Sequence, residues 1–279
     1  MCSVRLPRIL IVTHEHDDFN DGDYLLRTLA GFWMLRGYDV AYVAGLERWP
    51  DAEIAFLHVD LTVVPETYVA AARRYPIVIN GAATDLRKRH VSRHLVRPGD
   101  GWTGPVIVKT DLNACGSSEI RLLRRTNNDP KDLPASFATF TDNKYPILRS
   151  ASEVAPEIWE HPGLVVERFL PERDERGFWL RIWTFLGDRE RCSRYLSYHP
   201  LVKGENIIAR EPAQVPDELR EARRRFDFDY GKFDFTICDG EVVLFDVNAT
   251  PWAPPSVLPQ LHVLNEELAR GIDAWREKA

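Results

Sequence analysis

The sequence predicts an α/β chain in two parts: an open parallel sheet at the N-terminus, then a strand-rich α+β region carrying a polar hairpin. Three observations predict it. Residues 8–80 alternate strand-like and helix-like segments, residues 84–104 change character, and two alternating apolar runs flank Asp239-Gly240 near the C-terminus. In order, RILIV (8–12) and DVAYV (39–43) are short runs rich in β-branched residues. Between them Leu25, Leu26, Leu29, Phe32, Trp33 and Leu35 recur at helical spacing, with Gly37 where a C-terminal cap belongs. Residues 53–57 read as a third strand, 65–75 as a helix with Pro65 in its first turn, and 77–80 as a further strand. The basic TDLRKRHVSRHLVR segment reads as a helix and PGDGWTG as a linker, so the division is 1–83, 84–104 and 105–279. Beyond it, 106–109, 164–169, 178–186, 233–238 and 242–247 read as strands, and 258–275 as a closing helix.

Composition excludes several classes. With 279 residues, 42 acidic against 36 basic side chains and a net charge of -6, a general nucleic-acid binder is disfavoured, because phosphate contacts want a basic surplus. No stretch approaches the roughly 18 apolar residues of a membrane span. The start, MCSVRLPRILIVTHEHDD, turns acidic after a short apolar run, unlike a signal peptide. Cys2, Cys115, Cys192 and Cys238 form no CxxC pair, so neither a disulfide framework nor a zinc ribbon is indicated. The expectation is a cytoplasmic protein without nucleic-acid or membrane partners. Its 8 Trp, 9 Tyr and 13 Phe leave room for a homodimer surface.

KFDFTICDGEVVLFDVNATP (232–251) carries the most information. If Phe233, Phe235 and Ile237 share a core with Val243, Phe245 and Val247, paired positions sum to an even number and the loop is odd. A three-residue loop, 238–240, with a left-handed Gly240, satisfies this. The opposite face then displays Asp234 and Thr236 against Leu244, Asp246 and Asn248. Two carboxylates and a carboxamide within roughly 5–8 Å repel unless a cation lies between them. All-oxygen donors suit Mg²⁺, which keeps positions open for phosphate oxygens.

Other segments add parts. VIVK ends an apolar strand in Lys109, and the polar turn after it offers backbone N–H groups to phosphate. LVVERFLPE leads from a buried-looking strand through Glu167 into irregular backbone, an edge suited to a nucleotide base. Arg181 sits amid aromatics in FWLRIWTF, either snorkelling to the surface or entering a cleft. YLSYHPLVKGEN, with Lys203 and Asn206, is an acceptor-side loop candidate.

In this order the features resemble the ATP-grasp superfamily, in particular its carboxylate–amine ligases. The resemblance implies a Rossmann-like pre-ATP-grasp domain followed by a bilobed ATP-grasp domain, with lobes at 105–170 and 171–279. It implies that Asp234, Asp246 and Asn248 hold Mg²⁺, two ions with Mn²⁺ able to substitute, bridging the phosphates of ATP. Lys109 and Lys88 become ATP-binding lysines, and Asn113 to Ser118, including Gly116 and Ser117, the phosphate loop. Glu167, Arg168, Phe169 and Leu170 become the adenine hinge and Glu172 a ribose contact, with Trp179 standing where relatives commonly carry an acid. Arg181 would meet the acyl phosphate or substrate carboxylate, with Lys203 as a second catalytic cation. The implied reaction phosphorylates a carboxylate and lets an amine displace phosphate, on amino-acid, peptide or small-metabolite substrates.

Three alternatives compete, one of them a binding or scaffold protein with a decayed ATP site. A small-molecule kinase would stop after phosphoryl transfer. His14-x-His16-x-Asp18 resembles the zinc signature of metallo-β-lactamase-fold hydrolases. The same loop, with Asp17, instead suits substrate contact at the C-terminal edge of a parallel sheet. GDGWTG matches GxGxxG but precedes a strand, so it reads as a turn.

Overall fold

The N-terminal apolar runs pair as a parallel sheet in the computed structural model, which describes residues 5–19, 22–126, 145–253 and 261–276. Its strands are β1 (Arg8–Thr13), β2 (Asp39–Ala44), β3 (Ile54–Leu57) and β4 (Ile77–Ile79), in the order β2-β1-β3-β4. Helix α1 (Leu25–Leu35) buries Leu25, Leu26, Leu29, Ala30, Phe32 and Trp33, the stripe its spacing predicts except for Leu35, which is exposed at the helix end. It ends where Gly37 takes φ +91° and lets the Gly37 and Tyr38 amides cap the carbonyls of Met34 and Trp33. Helix α2 (Glu66–Ala72) is shorter than the 65–75 span: extended Pro65 precedes it instead of opening it, and the Tyr75 amide closes on Ala72 O in a turn after it.

The basic 84–97 segment is not a long helix. Only α3 (Lys88–Val91) forms. Long-range partners take the backbone instead: Lys88 N donates to Asp111 O, Arg89 N to Asp111 Oδ1 and Val96 N to Val166 O. Those bonds tie the segment to a three-stranded antiparallel sheet of β5 (Val106–Thr110), β6 (Ile147–Leu148) and β7 (Leu164–Arg168), ordered β6-β5-β7. Helices α4 (Ser117–Arg125) and α5 (Pro156–Glu160) accompany this sheet.

The largest sheet runs β11-β10-β9-β12-β13, with β8 (Glu172–Asp174) pairing β9. Its strands are β9 (Gly177–Leu186), β10 (Arg189–Ser197), β11 (Ala209–Pro212), β12 (Tyr230–Cys238) and β13 (Glu241–Asn248). One face packs Trp183, Phe185, Phe233, Phe235, Leu244 and Val247 under α6 (Asp217–Arg225). The other packs Leu186 and Tyr230 with Trp33, Phe56, Leu268 and Ile272, fusing it to the N-terminal unit and to α7 (His262–Ala269). Of the expected closing helix, residues 258–260 lie outside the described residues; α7 then passes into a 3-10 segment, Arg270–Trp275.

The hairpin corrects the three-residue loop. Cys238 pairs with Glu241 across a two-residue Asp239-Gly240 turn with φ +51° and +83°. Near the turn Phe235 opposes Leu244 and Thr236 opposes Val243, so Leu244, not Phe245, faces the core. A β-bulge between Asp234 and Phe235 absorbs one residue and restores even pairing beyond it, with Asp234 opposite Asp246 and Lys232 opposite Asn248. The carboxylates are adjacent, as the parity argument expects, through a different register.

Asn80 joins the two large units. It is 1 % exposed with φ +60°; its side chain donates to Tyr230 O (2.8 Å) and accepts from the Asp229 and Tyr230 amides (3.1 and 3.0 Å). Asn80→Ala removes three hydrogen bonds and a residue suited to left-handed backbone. We expect a loss of roughly 3 kcal/mol in urea unfolding. A change below about 1 kcal/mol would refute this tether.

Candidate active site

The site lies where the bulged hairpin meets the three-stranded sheet and the C-terminal edge of the parallel sheet. Asp234 and Asp246 share a face, and each leaves its Oδ1 buried without a hydrogen-bond partner. Lys232 Nζ reaches Asp234 Oδ2 at 3.0 Å, and Lys88 Nζ, 4 % exposed at its side chain, lies 3.4 Å from Asp246 Oδ1. Burial raises the Asp234 pKa most; the Lys232 charge pulls it back and Asp246 raises it again. Lys232 is raised, its burial outweighed by Asp234. Orphaned carboxylate oxygens beside a carboxamide form a donor set that fits a hard cation. Asn248 Oδ1 meanwhile accepts from Thr250 N at 2.7 Å.

Lys109 stands in the facing sheet, 6 % exposed. It is paired with Glu167 at 2.6 Å and lies 5.1 Å from the centre of the Phe245 ring, the residue in the bulged stretch. Glu167 is therefore bound to a lysine at the end of β7. Arg168 stacks on Trp102 at 4.8 Å, Phe169 N donates to Pro105 O, and Leu170 O accepts from Thr236 Oγ1 at 3.0 Å. The turn after β5 is tightly wound: Ala114, Cys115 and Gly116 have φ of +44°, +58° and +71° before Ser117 opens α4. Such backbone costs of order 1 kcal/mol or more at each non-glycine position and marks a geometry held by its surroundings. Asn113 Nδ2 donates to Val247 O (2.8 Å) and Ser118 Oγ to Asp60 Oδ2 (2.8 Å), holding this turn to the hairpin and the N-terminal sheet.

Two expected roles are corrected. Arg181 opposes Phe235, whereas Asp234 opposes Ile182, so Arg181 projects from the face opposite the carboxylate pair. Its guanidinium forms a two-pronged pair with Glu172 at 2.7 and 2.7 Å, and Glu172 also accepts from Ile237 N. Arg181 is thereby removed from substrate contact and Glu172 from the ribose. Trp179 shares that far face, stacked against Arg194 at 4.1 Å and Arg176 at 5.0 Å. Lys203 lines a cleft of about 480 Å³ with Tyr145, Ile147 and His199. Asn206 closes its own loop, accepting from Lys203 N and donating to Leu201 O, both at 2.9 Å.

The His14–Asp18 loop does not form a zinc site. His14 and His16 lie 5.6 Å apart and His14 stacks on Tyr68, while Asp18 is held by Arg125 at 2.7 Å. Among the described residues no three His, Cys, Asp or Glu side chains gather to hold a metal. The loop instead feeds a buried network: the Tyr24 hydroxyl lies 2.9 Å from both Asp17 Oδ1 and Asp60 Oδ2, with Arg121 Nη2 2.6 Å from Asp60. One hydroxyl proton serves one carboxylate. Burial chiefly, with Asp60 adding to it, pushes Asp17 up to about 6. A raised carboxyl stabilises the fold fully below its unfolded value, and that contribution is lost as pH rises through about 6. Asp17→Asn, whose amide can donate to Tyr24, should therefore stabilise the fold at pH 7.5 by roughly 1–2 kcal/mol after screening, read as a raised thermal midpoint. The gap should close below about pH 4; a gap constant with pH would contradict the titration.

Sequence reasoning missed Lys232 and Arg191. Lys232 is legible two residues before Asp234 on one strand face; Arg191 lies in a strand too charged to read as one.

No family model and no curated protein matches the chain. Solved structures do. The ATP-grasp ligase PsnB complexed with minimal precursor, Mg and ADP matches with a TM-score of 0.55 at 13% identity, covering 94% of this chain and 96% of that one. The RimK domain protein ATP-grasp from Sphaerobacter thermophilus DSM 20745 matches with a TM-score of 0.51 at 12% identity, covering 96% and 99%. The chain has the ATP-grasp fold. No described helix is long and apolar enough to cross a membrane.

Proposed function

We propose that this chain is an ATP- and Mg²⁺-dependent ligase that joins a carboxylate to an amine through an acyl phosphate. The observation that carries the reading is the Asp234–Asp246 pair, with a buried oxygen on each that accepts no hydrogen bond, beside Lys232 and Lys88, with Lys109 next to the neighbouring Phe245 ring. Asp234, Asp246 and Asn248 would hold Mg²⁺, which neutralises phosphate charge and orients the terminal phosphoryl group when bound. The chain's own residues do the rest. Lys109, Lys88 and Lys232 meet the phosphates as point charges, and the tight turn 113–116 offers backbone N–H groups at the start of α4. Phosphoryl transfer needs positioning and charge neutralisation, and this site supplies both without a protein nucleophile.

The substrate carboxylate oxygen attacks the terminal phosphorus, ADP leaves, and the amine then displaces phosphate from the acyl carbon. The test is ADP release across a panel of acids and amines, with mass spectrometry of the product. A new amide formed only when acid, amine and ATP are all present supports the ligase. A stable phosphorylated product without amine dependence would make it a kinase.

A further inference from the structure

Most half-buried guanidinium groups in the described residues are paired with a carboxylate: Arg181 with Glu172, Arg121 with Asp60, Arg194 with Glu211, Arg220 with Glu190. Arg223 is satisfied by three backbone carbonyls, those of Gly187, Phe228 and Asp229. Arg191 differs. Among the described residues its hydrogen-bond partner is the neutral Asn265 Oδ1, and the titratable groups acting on it are Tyr195, Arg210 and Tyr230, none of them a carboxylate. Burial, unrelieved by an anion, lowers its pKa.

The register puts Arg191 on the substrate face. It opposes Thr184, which opposes Lys232, so all three share the face of Asp234. Arg210, opposite Tyr195, lies on the same face of the neighbouring strand; among the described residues it donates to Ser193 Oγ at 3.1 and 2.9 Å and lies over the Tyr195 ring at 6.0 Å, with no carboxylate partner. Beside Arg191, Asn265 Nδ2 and the Tyr230 hydroxyl are buried without partners. Arg191 thus lies about two strand spacings from Lys232, roughly 10 Å away, with Tyr230 two residues from Lys232 on β12 and Arg210 one strand further out on β11.

We infer that the carboxylate substrate carries a second anionic group, which Arg191 binds with Arg210 on the same face, so that the substrate is a dicarboxylate, or another compound presenting two carboxylates, long enough to bridge that spacing. The inference rests on the ligase reading. The reacting carboxyl lies toward Asp234 and Lys232, and the second anion enters a two-pronged contact that a guanidinium makes and an ammonium does not.

Calorimetry on the full chain with Mg²⁺ and ADP tests it, using straight-chain dicarboxylates from glutarate to suberate against their monoamides. At least one dicarboxylate should bind tenfold or more tightly than its monoamide. Arg191→Gln should erase that preference and leave ADP affinity unchanged, and Arg191→Lys should restore part of it. In turnover, Arg191→Gln should raise KM for the acid more than it lowers kcat. Equal binding of acids and monoamides, or a preference that survives Arg191→Gln, overturns the inference while the ligase reading stands. Failure of the wild-type chain to bind ADP overturns the reading beneath it.

Discussion

Asp246→Asn should reduce ATP-dependent ADP release by at least about 100-fold, the scale set by losing one preorganised charge-stabilising group. The substitution keeps the side-chain volume and removes the negative charge 3.4 Å from Lys88 and opposite Asp234. Mg²⁺ binding followed by calorimetry should weaken in parallel, and circular dichroism should report an intact fold. Asp234 is the more deeply embedded of the two, with Lys232 as its direct counter-ion, so Asp234→Asn should cost stability as well as activity. Wild-type turnover by Asp246→Asn would remove the metal assignment outright.

The largest stability effect is expected at Glu167. It is 2 % exposed and 2.6 Å from Lys109, itself 6 % exposed, so the pair lies almost wholly inside the protein. Glu167→Leu leaves an ammonium buried against the Phe245 ring with no anion beside it, at a cost of roughly 3–5 kcal/mol. Replacing both partners, Lys109→Met with Glu167→Leu, should recover much of that loss, because two matched apolar groups need no counter-ion. Chemical unfolding of the two single variants and the double variant measures the coupling. Additive losses would mean that the two charges stabilise the fold independently, contrary to their contact.

The parallel sheet was legible because its central strands, β1 and β3, are buried on both faces and read as unbroken apolar runs, RILIV and IAFL. The hairpin was legible from alternation, and the neighbouring carboxylates from parity. Parity assumes an uninterrupted ladder, however, and the irregularity beside Phe235 is a compromise between turn chemistry at Asp239-Gly240 and packing at Phe233. No local pattern announces it. Strands β10 and β11 escaped because RERCSRYLS and AREP carry arginines and glutamates on both faces, satisfied by cross-strand pairs such as Arg194–Glu211. Helix α6 escaped because DELREARRR buries only Leu219 and Ala222. Arg181 was misplaced for a related reason: its position in the chain was readable, but the face it occupies depends on the pairing of β9 with β12.

That irregular residue works as a slip joint. The tip of the ribbon obeys its tight turn, while the base obeys the alignment that opposes the two aspartates, and neither dictates to the other. Lengthening or shortening the tip by a residue would be absorbed before reaching the base. Deleting Phe245 would instead remove the joint: tip and base would run as one regular ladder with the two acids still opposed, and what is lost is the local kink and the ring beside Lys109.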